Sequence, residues 1–142
     1  MERREEIRET YLETGLEGIA YCCLPVADIF QTAEWYVKHF GFEVKFPRED
    51  RLSLWNNGRP ILDLLKKDTD TTATFTLNGK PHWIITFRTK NIHALYNKLK
   101  AEGVSVRVRP SITDEGEWGK FFTFKDPDGN FFDVWEHPDC PM

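Results

Sequence analysis

Two aspartates set inside apolar runs are the residues of this chain best placed to do chemistry. Asp63 lies in Pro60-Ile61-Leu62-Asp63-Leu64-Leu65, and Asp133 in Asn130-Phe131-Phe132-Asp133-Val134-Trp135. Two carboxylates facing each other in an apolar setting do not both ionise readily, and the one with the raised pKa becomes a general acid or base near neutrality. The same groups can instead hold a ligand by hydrogen bonds, or stand as structural acids bonded near a strand end. All three roles stay open at this point. Cys23, two residues after Tyr21, is a nucleophile only with a base or cation beside it, and in an apolar strand it also reads as a small core residue. His82 follows Lys80-Pro81 at the start of a strand. His39 and His93 fall on helical stretches whose apolar positions turn inward, so both are expected in solvent.

The elements that carry these residues come twice. Gly18 to Val26 is an uncharged apolar strand, Asp28 caps a helix to about Phe40, and Gly41 ends it. Three short strands follow: Phe42 to Pro47, Arg51 to Trp55 and Pro60 to Lys66, the last two separated by Asn56-Asn57-Gly58. After a polar run from Lys67 to Lys80 the order starts again. His82 to Thr89 is a strand, Asn91 caps a helix to Glu102, Gly103 ends it, and Val104 to Val108 is a strand. The last two strands form a hairpin, Phe121 to Glu136, around Asp126-Pro127-Asp128-Gly129-Asn130. Pro127 presets φ, Gly129 accepts a positive φ, and the Asp and Asn side chains bond the local backbone. Each half therefore reads βαβββ. Aligning them puts Asp63 against Asp133 on the last strand and Tyr21 against Ile84 on the first.

With 142 residues, 40% hydrophobic and 30% charged, the chain supports one folded domain. A net charge of −4 without a basic block argues against nucleic acid. No apolar run reaches the roughly 20 residues a membrane span requires. Cys22, Cys23 and Cys140 are odd in number and two are adjacent, so a disulfide framework is not expected and a cytoplasmic location is. Glu2 to Thr14 reads as a short helix on Ile7, Tyr11 and Leu12. The resulting division is an N-terminal helical extension over 1–15 and one domain over 16–142: module one at 16–67, linker at 68–80 and module two at 81–137.

The repeat resembles the vicinal oxygen chelate superfamily, which includes glyoxalase I, bleomycin-resistance proteins and extradiol dioxygenases. Two stretches carry the resemblance: Leu24 to Phe42, with L-P-V-A-D and W-Y-V-K-H-F-G-F, and the D-P-D-G-N-F-F-D ending at Asp133. It implies an α+β fold of paired βαβββ modules curling round a cup, commonly in a homodimer. It also implies four ligand positions in metal-using members, usually His and Glu. Carried over by position these are Tyr21, Asp63, Ile84 and Asp133, so a phenol and an aliphatic side chain stand where imidazole is usual. Ile84 coordinates nothing, and neutral phenol is a poor ligand.

Strand alternation then nominates the cup lining. The ligand-binding candidates are Tyr21, Cys23, Trp55, Ile84, Phe124 and Trp135, and the candidate catalytic pair is Asp63 and Asp133. His82 with the two aspartates is the remaining way to assemble a metal site. Asp114 to Trp118 reads as an acidic loop that the resemblance places at the cup mouth. The expected function is binding of an aromatic or amphipathic small molecule, with no cofactor. The alternative is a metal-dependent lyase, isomerase or dioxygenase, and a third reading is a protein-interaction module with its cup filled by its own side chains.

Overall fold

A computed structural model describes residues 14–105 and 112–137. In chain order these form β1 (Cys22–Val26), α1 (Ile29–Phe40), β2 (Glu43–Lys45), β3 (Arg51–Asn56), β4 (Arg59–Lys66), β5 (Thr74–Leu77), β6 (Lys80–Trp83), β7 (Ile85–Arg88), α2 (Ile92–Ala101), β8 (Thr113–Asp114), β9 (Lys120–Lys125) and β10 (Phe131–Glu136). The expected N-terminal helix falls almost wholly outside the described residues, as does most of the strand expected at Val104 to Val108.

The α+β fold of two βαβββ units is present. One four-stranded sheet has the order β1-β4-β3-β2, a second has β7-β10-β9-β8, and β5 and β6 form a two-stranded sheet. In each four-stranded sheet, the first strand pairs parallel with the last, and the last pairs antiparallel with the one before it. Cys23, Asp63 and Ser53 are in register across the first sheet, and Thr86, Asp133 and Thr123 across the second. Asp63 and Asp133 are thus equivalent positions. Tyr21 and Ile84 each stand two residues before the equivalent pair Cys23 and Thr86.

Both helices begin and end where their caps dictate. The Asp28 carboxylate accepts from the amides of Phe30 and Gln31 at 3.1 Å, and Gly41 closes α1 at φ +69°. Asn91 accepts from the Ala94 amide at 3.1 Å. Ile29, Ala33 and Tyr36 on α1, and Ile92, Tyr96 and Leu99 on α2, are spaced to lie on one face of each helix and are buried.

The core explains which way the sheets face. Leu24, Val26, Leu52, Leu54, Leu62 and Leu64 of the first sheet join Phe122, Phe124, Phe132 and Val134 of the second in one buried cluster with the helices. Rings of α1 bridge the two sheets: Phe40 lies 5.1 Å from Phe124, and Tyr36 lies 6.3 Å from Phe132. Period-two alternation then turns Asp63 and Asp133 to the faces directed away from this shared core.

The Asp126 to Asn130 loop fastens the second unit to the first. Asp126 Oδ2 accepts the Tyr36 hydroxyl at 2.8 Å, while its Oδ1 accepts the amides of Asp128 and Asn130 at 2.9 Å. Asp128 accepts the Ala27 amide at 2.9 Å and the Thr32 hydroxyl at 2.6 Å. Asn130 donates to the Pro25 carbonyl at 3.2 Å and accepts the Ala73 amide at 2.6 Å. What reads locally as turn chemistry is also a clamp across some hundred residues of chain.

Three details differ from the sequence reading. The polar stretch before Pro81 is not all linker, because Thr74 to Leu77 pairs with Lys80 to Trp83 around Asn78-Gly79, at φ +52° and +75°. Asn-Gly is the favoured two-residue hairpin turn, since both positions need positive φ. The strand expected at His82 to Thr89 is consequently split at Ile84 between two sheets. His39 is buried rather than solvated: its Nδ1 lies 2.9 Å from Glu102 Oε1, and Lys98 bonds both Glu102 and the His39 carbonyl. It turns inward because α2 packs alongside the end of α1.

Candidate functional site

On the first sheet the outward face is organised around Asp63, which is only 5% exposed. Arg51 Nη2 and Nε donate to Asp63 Oδ2 at 2.6 and 2.9 Å, and Ser53 Oγ donates to Oδ1 at 2.6 Å. Arg51 Nη2 also donates to the Tyr21 hydroxyl at 3.2 Å. Side chains on alternate residues of β3 meet a side chain on the neighbouring β4, as pleated pairing requires. The hydrogen bond to Asp63, more than the nearby charge, holds the Arg51 pKa above its ordinary value. Cys23 is exposed beside this group.

Further along the same face, Trp55 is half-buried. Its Nε1 is the buried side-chain polar atom among the described residues with no hydrogen-bond partner. Lys45 Nζ lies 4.4 Å from the Trp55 ring centroid, a cation–π distance. Phe46 sits edge-on to Trp55 at 6.2 Å with φ +54°. A bulky residue in the left-handed region is strained by about 1–3 kcal/mol.

The second sheet repeats the framework with different chemistry. Asp133 is 3% exposed, and its Oδ1 accepts the Thr123 hydroxyl at 3.1 Å. Where Ser53 has Arg51 two residues before it, Thr123 has Phe121, whose ring stacks on Trp135 at 6.5 Å. Trp135 Nε1 donates to the Trp118 carbonyl at 2.8 Å, and His137 Nε2 donates to the Glu117 carbonyl at 2.6 Å. These bonds pin the acidic loop, here a single 3₁₀ turn over Gly116–Trp118, against the end of β10. Gly119 permits that approach, because a Cβ there would collide with the Glu136 carbonyl and the Trp135 indole.

Most nominated residues are on these faces and some are not. Tyr21, Cys23, Trp55 and Trp135 line them, and Ile84 is 62% exposed at the position equivalent to Tyr21. Phe124 is not a cup residue. It is fully buried between α1, Phe87 and Phe132, because Thr123 shares the face of Asp133 and its neighbour must turn the other way. Sequence reasoning passed over Arg51, Lys45 and Phe46. The alternation that nominated Trp55 also selects Arg51, four residues earlier on the same strand, so the signal was present.

A metal ion fits these donors poorly. Both oxygens of Asp63 are engaged, the Tyr21 hydroxyl accepts from a guanidinium, and Ile84 has no donor atom. His82 is held in the β5–β6 hairpin, its Nδ1 donating to the Trp83 carbonyl at 2.8 Å and its ring stacked 3.8 Å from Trp83. Among the described residues no three of His, Cys, Asp and Glu gather as ligands, so Asp63, Asp133 and His82 form no single centre within the chain. A cavity of about 310 Å³ lies instead on the helix side, between α1 and β2–β3, lined by Phe30, Ala33, Val37, Val44 and Leu52.

Among the described residues no helix is long and apolar enough to cross a membrane. No curated protein matches the chain. Solved structures share its fold. TnmS3, an antibiotic-binding protein from Streptomyces sp. CB03234, has a TM-score of 0.62 at 20% identity, covering 87% of this chain and 98% of that one. FosX, a fosfomycin resistance protein from Listeria monocytogenes, has a TM-score of 0.67 at 17% identity, covering 87% and 96%. Lactoylglutathione lyase from Agrobacterium tumefaciens has a TM-score of 0.65 at 15% identity, covering 86% and 95%. The family model of the Glyoxalase/Bleomycin resistance protein/Dioxygenase superfamily matches residues 18–134. With that match spanning both βαβββ units, the chain belongs to the glyoxalase/bleomycin resistance protein/dioxygenase superfamily.

Proposed function

We propose that this chain is a small-molecule-binding protein that holds an aromatic or amphipathic ligand against its outward sheet faces, without a family-type metal site. The observation that carries the reading is the Arg51–Asp63–Ser53 group. A carboxylate whose two oxygens are taken by a guanidinium and a hydroxyl, at 2.6–2.9 Å, is already neutralised and is a weak partner for a cation. On the same face stand Tyr21, Trp55 and Phe46, aromatic surface against which an organic ligand packs. The antibiotic-binding relative TnmS3 has the same fold.

A homodimer is part of this proposal. The two faces point away from their shared core and leave Tyr21 and Ile84 substantially exposed. A second copy that sets its second sheet over the first sheet of its partner encloses both. Cys22 and Cys23 are free thiols, which suits a reducing cytoplasm.

Metal analysis and light scattering on purified protein test the two parts. The expected results are a dimer, and no divalent ion at stoichiometric level. A stoichiometric ion that disappears in Asp133→Ala overturns the metal-free reading in favour of a metal-dependent lyase, isomerase or dioxygenase. A monomer at micromolar concentration overturns the shared cup.

A further inference from the structure

We infer that the ligand of this cup is an aromatic acid, its anionic group held by Arg51 and Lys45 and its ring lying along Trp55. The inference rests on the binding reading above and names the class of ligand.

The Arg51 guanidinium uses Nε and Nη2 on Asp63 and Tyr21, and Nη1 bonds none of the described residues. An arginine held through Nε and Nη2 by Asp63 and Tyr21 still presents its Nη1 edge as a preorganised charged donor for an oxyanion. Its side chain is 39% exposed, so that edge is reachable. Lys45, in register with Ser53 and so between Arg51 and Trp55 on this face, has no ion-pair partner among the described residues. Among the described residues its ammonium rests only on the Trp55 ring, 4.4 Å from the centroid. The Trp55 Nε1 is a buried donor left without an acceptor, a feature that native structures rarely keep without a use. Phe46 holds a strained φ of +54° that leaves its ring 68% exposed and edge-on to Trp55, extending the aromatic wall.

Polarity along the face sets the ligand's direction. Arg51 and Trp55 stand four positions apart, about 13 Å of strand. Glu43, exposed and in register with Trp55, repels an anion from the tryptophan end. The acid therefore sits toward Arg51 and the ring toward Trp55. A planar bicyclic carboxylate matches that interval, with Lys45 swinging from the indole to the carboxylate on binding.

The test compares 2-naphthoate with its neutral isostere 2-naphthamide, each titrated into full-length protein and followed by the indole N–H cross-peaks in NMR. The Trp55 peak is assigned from Trp55→Phe. The expected result is that both probes shift the Trp55 peak, with naphthoate binding about tenfold tighter. Lys45→Gln and the paired Arg51→Gln/Asp63→Asn variant, which leaves no buried unpaired charge, should each lose most of that preference and keep naphthamide binding. Equal affinity for the two probes, or a preference that survives in both variants, overturns the inference and leaves the binding reading standing. If neither probe, nor 2-naphthylmethylamine as a cationic control, moves any indole peak, the binding reading itself falls and takes this inference with it. Tighter binding of 2-naphthylmethylamine overturns the inference alone, because it makes the Trp55 ring the cation site.

Discussion

The Tyr36 hydroxyl donates to Asp126 Oδ2 at 2.8 Å, joining α1 of the first unit to the closing hairpin of the second across 90 residues of chain. Both groups are buried, and burial pushes the phenol well above its ordinary pKa, with the neighbouring Asp126 charge adding to the effect. Removing the hydroxyl leaves Asp126 Oδ2 with the Asn130 amide alone, at 3.0 Å, and the loss of a buried hydrogen bond to a carboxylate costs about 1–3 kcal/mol. Tyr36→Phe should therefore lower the free energy of unfolding by that amount, read as a lower urea midpoint at an unchanged m-value. An unfolding free energy within about 0.5 kcal/mol of wild type would show that the clamp rests on Asp128 and Asn130 instead.

Asp126 and Glu102 give stability opposite dependences on pH. Burial raises the Asp126 pKa above 3.8, its hydrogen bonds from Asn130 and Tyr36 only partly opposing this. A raised folded-state pKa means that the folded protein binds the proton more readily than the unfolded chain. The associated stability is present below the unfolded pKa and is lost as pH rises through the folded one. The Glu102 pKa is lowered below 4.5 by hydrogen bonds from His39 and Lys98, so its contribution is present above the unfolded pKa and is lost as pH falls. Unfolding curves from pH 3 to 7 should show Asp126→Asn gaining on wild type as pH rises and Glu102→Gln gaining as pH falls. Parallel curves would show that neither group is linked to folding.

Phe124 and Ile84 separate core from cup. Phe124 is fully buried against Phe40, Phe87 and Phe132, and Phe124→Ala should cost about 3–5 kcal/mol. Ile84, at 62% exposed, should tolerate Ile84→Ala within about 0.5 kcal/mol. Denaturant titration of both variants checks the assignment of faces. A small loss at Phe124 with a large one at Ile84 would reverse it.

Gly119 has φ +94° and no room for a β carbon between the Glu136 carbonyl and the Trp135 indole. Gly119→Ala should cost about 1–3 kcal/mol and detach the Gly116–Trp118 turn from β10. Limited proteolysis should then cut near Trp118 faster than in wild type. Unchanged cleavage would mean that the turn accommodates the methyl by shifting as a unit.

The one-dimensional pattern of this chain was enough to determine its repeat, its helix caps and the equivalence of Asp63 and Asp133. Those depend on local physics: period-two and period-3.6 burial, carboxylate and amide caps, and glycines at positive φ, all of which act within a few residues. The Asn78-Gly79 hairpin was legible by the same physics and was hidden only by the polar run around it. What the tertiary structure alone decided is where the second set of partners lies. Asp126, Asp128 and Asn130 look like turn formers because their nearby bonds are those of a turn, while their distant partners Tyr36, Thr32 and Pro25 follow from packing α1 between two sheets. Phe124 and Thr123 exchange faces on a shift of one residue, and only the shared core says which is inside. The same holds for Arg51. Its residue type was visible throughout, but its closure onto Asp63 and Tyr21 depends on neighbouring strands brought together in register. Sequence spacing records which residues can share a face; strand pairing decides which of them touch.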